Sequence, residues 1–134
     1  EFADADYLVM AAAVADYRAK EIASNKMKKT SEDEISIGLV KNPDILKEIC
    51  KNKRAEQIVV GFAAENENLI EYAKEKIQKK GCDYIVANDI SRSDIGFSSD
   101  ENEVYVIDKN LSVDKIDKTS KNIIAKKLIE VICK

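Results

Sequence analysis

The sequence predicts an open α/β fold: a Rossmann-like, mostly parallel sheet with flanking helices and a late β-hairpin. Three features of the chain point to it. Short continuous apolar runs stand at Tyr7-Leu8-Val9-Met10-Ala11, Ile58-Val59-Val60-Gly61-Phe62 and Tyr84-Ile85-Val86-Ala87, the pattern of strands covered on both faces. Helical periodicity fills Asp44 to Cys50, Asn66 to Lys80 and Ser120 to Cys133. The alternation of the two implies right-handed crossovers, with ligands collecting at the carboxyl ends of the strands.

Each element has a local reason. Asn42-Pro43-Asp44-Ile45-Leu46 opens the first helix, because Asn is a favoured N-cap and Pro suits the first helical position. In the second, at ~100° per residue, Leu69, Ala73, Ile77 and Ile70 span a buried sector of about 100°. Lys76 and Lys80 fall inside or beside that sector, whereas Lys74, Glu75, Gln78 and Lys79 point away. Lysines so placed either snorkel past the core at a helix C-terminus or reach over the sheet edge as a two-point anion clamp. The third helix offers Ile123, Ile124, Leu128, Val131 and Ile132 as a broad apolar face. Ile35, Ile37 and Leu39 alternate with Ser36, Gly38 and Val40, a further strand candidate. Glu103 to Asp108 and Leu111 to Ile116 flank Lys109-Asn110 as a hairpin, and polar Ser91 to Asn102 is a loop.

A chain of 134 residues suits one compact domain with one core. At 45% hydrophobic and 35% charged residues the composition is that of a soluble globular protein. A net charge of -3 provides no basic field for nucleic acid, so an anionic ligand has to be held by local lysines. The absence of histidine excludes cysteine-histidine and serine-histidine catalysis and histidine-bearing zinc sites. Cys50, Cys82 and Cys133, odd in number, widely spaced and set in apolar or helix-like surroundings, read as reduced buried thiols of a cytoplasmic protein. The longest apolar run, Tyr7 to Ala15, is too short to span a bilayer, so no membrane partner is expected. The chain lacks an initiator Met and enters a strand pattern within its first few residues, as a piece of a longer protein would.

Chemistry is expected where the strands end. Ala11-Ala12-Ala13 removes side-chain bulk at a strand exit, leaving backbone accessible to a sugar or base, and Asp16 adds a carboxylate acceptor. Close packing of an alanine-rich strand explains the same alanines. Lys26-Met27-Lys28-Lys29 lies in a polar stretch that reads as a flap able to close over a triphosphate, or as a solvated basic loop. Phe62, at the end of the second run, can pack on a pyrimidine face or belong to the core. No glycine fingerprint for a dinucleotide and no P-loop occurs.

Taken in order, Ala-Ala-Ala-Val-Ala-Asp-Tyr-Arg at 11–18, Lys-Met-Lys-Lys at 26–29, Asn-Pro-Asp-Ile-Leu at 42–46, Gly-Phe-Ala-Ala-Glu at 61–65, Ala-Asn-Asp-Ile-Ser at 87–91 and Gly-Phe-Ser-Ser-Asp-Glu-Asn at 96–102 form one succession. It resembles the ligase half of the bacterial bifunctional phosphopantothenoylcysteine decarboxylase/phosphopantothenate-cysteine ligases of coenzyme A biosynthesis. The resemblance implies that the carboxylate of 4'-phosphopantothenate attacks the α-phosphate of CTP, with magnesium. Pyrophosphate leaves, and the amine of cysteine then opens the acyl-cytidylate with loss of CMP. It implies CTP contacts at Met10, Ala11, Ala12, Asp16, Lys26, Pro43, Asp44, Ile45, Leu46, Phe62, Lys76 and Lys80, with Lys26 stabilising the intermediate. Both lysines marked by the helical wheel are among them. It further implies a homodimer formed near the late hairpin. A Gly- and Ser-rich segment and an FMN-binding decarboxylase domain would precede residue 1, so that this piece would bind CTP without turning over. The competing classes are a non-catalytic nucleotide-binding or interaction domain of the same fold, and a nicotinamide-dependent oxidoreductase, which the missing glycine fingerprint disfavours.

Overall fold

The computed structural model describes residues 2–26, 34–92, 94–95 and 99–133. In chain order the elements are β1 (Tyr7–Met10), β2 (Tyr17–Ala19), β3 (Leu39–Lys41), α1 (Ile45–Asn52), β4 (Ile58–Glu65), α2 (Leu69–Lys80), β5 (Tyr84–Asp89), β6 (Glu101–Asp108), β7 (Val113–Ser120) and α3 (Lys121–Ile132). They fall into two units, Glu1–Ala11 with Ile45–Lys134, and Ala12–Asp44. Among the described residues, the stretch between β1 and α1 contributes no buried side chain.

The larger unit is an α/β sheet in the order β1-β4-β5-β6-β7. β1, β4 and β5 run parallel, as their apolar runs predict, and β6 and β7 add antiparallel strands. The late hairpin turns at Lys109-Asn110, where the Asp108 carboxylate accepts from the Asn110 and Ser112 amides at 2.9 Å each. Its second strand reaches Ser120 rather than stopping at Ile116.

Each face of the sheet carries an apolar layer. Leu46 of α1 and Ala73 and Ile77 of α2 pack with Val59, Ala63, Ile85 and Ile107. On the opposite face Ile124, Leu128 and Ile132 of α3 pack with Val60, Val86, Val104, Val106 and Ile116. Right-handed crossovers along β1-β4-β5 put α1 and α2 on the same face. α3 presents a narrower stripe than its sequence implies: Ile123 is 44% exposed and Val131 only partly covered. α2 begins at Leu69 rather than Asn66 because Asn68 sits in the left-handed region, φ 45°, and it ends on Gly81, φ 74°, whose N–H donates to the Ile77 carbonyl at 2.8 Å.

Two buried polar side chains pin the amino ends of the parallel strands. Gln57, 1% exposed, donates through Nε2 to the Phe2 and Ala5 carbonyls at 2.9 and 2.6 Å and accepts from the Arg54 amide at 2.8 Å. Asp83 accepts from the Val59 amide at 2.8 Å and from Lys53 Nζ at 2.6 Å. Among the described residues no buried side-chain polar atom lacks a partner. Nor is any helix long and apolar enough to cross a membrane.

Asp83 and Lys53 are only 11% and 15% exposed, so removing one strands the other in a poorly hydrated place. Asp83→Ala is expected to lower the unfolding free energy by about 3 kcal/mol. Urea denaturation measures this, and a loss below about 1 kcal/mol would assign the pair no more weight than a surface ion pair.

Candidate functional site

β1 is short, and its end sets the geometry of the carboxyl edge. Its register with β4 runs from Tyr7↔Ile58 to Met10↔Gly61, while β4 continues beside β5 as far as Glu65↔Asp89. From Phe62 to Glu65 the β4 edge thus projects past β1, and among the described residues no strand pairs with it on that side. The strand exits at Ala11, which is exposed, so little side-chain bulk stands at the exit; Ala12 and Ala13, which follow, are exposed as well. Neighbouring rim positions Glu65, Asn88 and Asp89 are half-buried and Ala64 is exposed. Asp89 is already engaged: hydrogen bonds from the Ser91 hydroxyl at 2.6 Å and the Ser91 amide at 2.8 Å hold its carboxyl below the usual range.

Gly61 explains how α1 reaches this rim. A Cβ there would lie 2.7 Å from Leu46 Cδ2 and 2.9 Å from Ile85 Cδ1. Glycine lets Leu46 lie directly on the backbone of β4, level with Met10. Leu46 is only 8% exposed and its side chain is a core group; Ile45 beside it is 46% exposed. Any ligand contact by Leu46 has to come from its backbone at the start of the helix.

The other candidates of the sheet unit are spread more widely. Phe62 is half-buried on the opposite face, against the α3 layer. A ligand touching both Phe62 and the start of α1 must cross the carboxyl edge of the sheet. Lys76 and Lys80 are half-buried, as the helical wheel places them, and so is Lys74, which the wheel turns outward. They stand one turn apart near the C-terminal end of α2, ~10 and ~16 Å of helix rise from Leu69. Lys80 is close enough to Cys82 to favour its thiolate. The two lysines therefore form a pair, set apart along the helix from Met10 and Leu46.

Ala12, Asp16, Lys26, Pro43 and Asp44 belong to the smaller unit. Its frame is the ribbon β2/β3, with Tyr17↔Lys41, Arg18↔Val40 and Ala19↔Leu39 opposed. Asn42 closes the base: its Nδ2 donates to the Ala15 carbonyl at 2.7 Å, its Oδ1 accepts from Arg18 at 2.9 Å, and its amide donates to the Asp16 carbonyl at 2.7 Å. The N-cap role expected of Asn42 is corrected accordingly, since α1 begins at Ile45 and the Asn42 side chain is spent on the ribbon. Ala12, Asp16, Lys26 and Pro43 are exposed and Asp44 half-buried. Met27-Lys28-Lys29 of the basic cluster and Gly96-Phe97-Ser98 lie outside the described residues. The strand expected over Ile35 to Val40 shrinks to Leu39–Lys41, with Ile35 and Ile37 63% and 66% exposed, because no second layer covers their alternation.

Beyond β5 the described residues of the loop are tied by ion pairs to β6 and β7. Arg92 pairs with Asp94 at 2.9 Å and Glu103 at 3.1 Å, Lys115 with Glu103 at 3.0 Å, and Lys118 with Asp94 at 3.0 Å. Arg92 and Lys118 hold the Asp94 carboxyl well below the ordinary carboxylate range. Ile95, within the same polar stretch, is buried at 4% exposure.

The model of the DNA/pantothenate metabolism flavoprotein C-terminal domain family matches residues 1–134. The coenzyme A biosynthesis bifunctional protein CoaBC of Borreliella burgdorferi is 42% identical over 128 residues, 95% of this chain and 32% of that protein. The protein of the same name from Haemophilus influenzae is 50% identical over 99 residues, 74% of this chain and 24% of its own length. The chain thus spans about a third or less of these curated relatives. Among solved structures, the C-terminal domain of a coenzyme A biosynthesis bifunctional protein CoaBC superposes with a TM-score of 0.73 at 31% identity, covering 96% of this chain and 54% of that one.

Two substitutions probe this geometry. Gly61→Ala is expected to destabilise by about 1–3 kcal/mol through overpacking against Leu46 and Ile85, read by urea denaturation; an unchanged midpoint would mean α1 is not seated on β4. Asn42→Ala is expected to speed amide exchange at Asp16 to Arg18 and Leu39 to Asn42 several-fold while leaving β4 and β5 protected. Uniform acceleration across the chain would instead make Asn42 part of global stability.

Proposed function

Because the chain belongs to the DNA/pantothenate metabolism flavoprotein C-terminal domain family, we propose that it is the nucleotide-handling part of a CTP-dependent phosphopantothenate-cysteine ligase acting in coenzyme A biosynthesis. The observation that carries this reading is the open carboxyl rim, where β4 outruns β1 and the alanine exit leaves backbone groups uncovered. A nucleotide needs such a place for its sugar and base, with the apolar edge of Phe62 beside it.

In this proposal Met10, Ala11 and Ala12 supply backbone contacts, Asp16 accepts from a hydroxyl, and Pro43 to Leu46 present the helix start to the nucleotide. Lys76 and Lys80 act together on phosphate oxygens, and Lys26 stabilises the charge that develops as the phosphopantothenate carboxylate attacks the α-phosphate. Cysteine then opens the acyl-cytidylate and CMP leaves. Among the described residues no group of three acidic or thiol side chains could hold a metal. Magnesium would accordingly come with the triphosphate, keeping water on its remaining positions. The chain is proposed to act in the cytoplasm and as a homodimer near the β6/β7 hairpin.

Thermal-shift measurements with CTP, ATP and NAD, each with magnesium, test the reading. CTP at about a hundred times its Kd is expected to stabilise by about 2.7 kcal/mol, a rise of several degrees, with ATP and NAD giving much less. Lys76→Ala and Lys26→Ala should each remove most of that rise while leaving the unliganded Tm unchanged. Equal responses to all three nucleotides, or none, would leave a non-catalytic domain of the same fold.

A further inference from the structure

Cys50, in the last turn of α1, and Cys82, just before β5, bring their sulfurs to 3.4 Å across a sequence separation of 32. Both thiols are reduced. Cys82 is 4% exposed within the α1/α2 layer, whereas Cys50 is half-buried and open to a small solute. Gly81, between α2 and Cys82, has only Cys50 Cβ near its own missing side chain, at 3.9 Å, so the approach of the two segments is not crowded. We propose that Cys50 and Cys82 are an oxidation site that reacts with a small peroxide and closes as an intramolecular disulfide joining α1 to the start of β5.

The chemistry follows from the two environments. The hydrogen bond to Cys50, burial and the charges of Cys50 and Asp83 push the Cys82 thiol up, with only Lys80 opposing them. Cys82 keeps its proton, and first attack falls to the more exposed Cys50. The Cys50 sulfur takes one peroxide oxygen, the O–O bond breaks, and a sulfenic acid and one water form. The Cys82 sulfur then attacks the Cys50 sulfur, the S–O bond breaks, and the hydroxyl leaves with the thiol proton as a second water. Two thiols lose two electrons and one hydrogen peroxide becomes two waters. The sulfurs have to close from 3.4 Å to about 2.05 Å, a movement within side-chain rotation. Cys133, beside Tyr7, has no sulfur neighbour among the described residues and is exposed, not buried as its helical surroundings suggest.

The intact chain is treated with hydrogen peroxide, quenched with an alkylating reagent and weighed. The expected result is loss of two alkylation sites, a peptide pair linking Cys50 to Cys82, an alkylated Cys133, reversal by dithiothreitol, and a Tm raised by several degrees in the oxidised form. Cys50→Ser and Cys82→Ala should each abolish the link, whereas Cys133→Ser should leave it unchanged. Three alkylated cysteines after a dose that oxidises free cysteine would overturn the proposal. So would a Cys50 sulfinic acid without a link, or a link through Cys133.

Discussion

The sheet unit rests on two polar side chains that are almost wholly buried. Gln57 and Asp83 stand where β4 and β5 begin, and each ties main-chain groups of segments far apart in sequence. Buried amides and carboxylates are costly unless every lone pair and proton is used, so these two tolerate little slippage. Gln57 holds the turn before β1 against the entry of β4, and Asp83 holds the entries of β4 and β5 together. With registry set at the amino ends, the carboxyl ends need no polar side chains for stability.

That division of labour leaves the carboxyl rim to be shaped by absences. Gly61 lacks the methyl that would lift Leu46 off the sheet, Ala11 after Met10 lacks bulk, and β1 stops while β4 goes on. Cys50, Lys80, Cys82 and Asp83, where α2 ends and β5 starts, instead lie close together, and the two cysteines among them form a dithiol. One edge of the sheet is therefore stiff and internally bonded, and the opposite edge is open.

Strands and helices were readable because their patterns report burial on the same chain segment. Ile58 to Phe62 and Tyr84 to Ala87 are apolar throughout and lie covered by helices on both sides. Ile35 and Ile37 show the same vocabulary with no partner layer, and periodicity cannot tell whether a covering layer exists. Asn42-Pro43 carried a sound helix-start signal, but the asparagine had a stronger use, because Ala15 and Arg18 offered it an acceptor and a donor at once. The rim was readable as small residues after a strand. That β1 would end level with Gly61, that Phe62 would face α3, and that Lys76 and Lys80 would sit near the far end of their helix depend on register and crossover, which no local pattern encodes.

The shortness of β1 also bears on how the sheet assembles. β4, α2, β5, β6 and β7 follow one another along the chain, so their pairings close smaller loops than the pairing of β1 with β4. β1 pairs with β4 only after the whole Ala12–Asp44 segment has been looped out, a contact that costs more chain entropy and that four residue pairs must repay. β1 is accordingly the strand expected to dock last and detach first, with its amides exchanging before those of β4 and β5. The rim would then come apart by losing one edge strand while the remaining sheet stays folded, coupling the integrity of the opening to a local equilibrium instead of the global one.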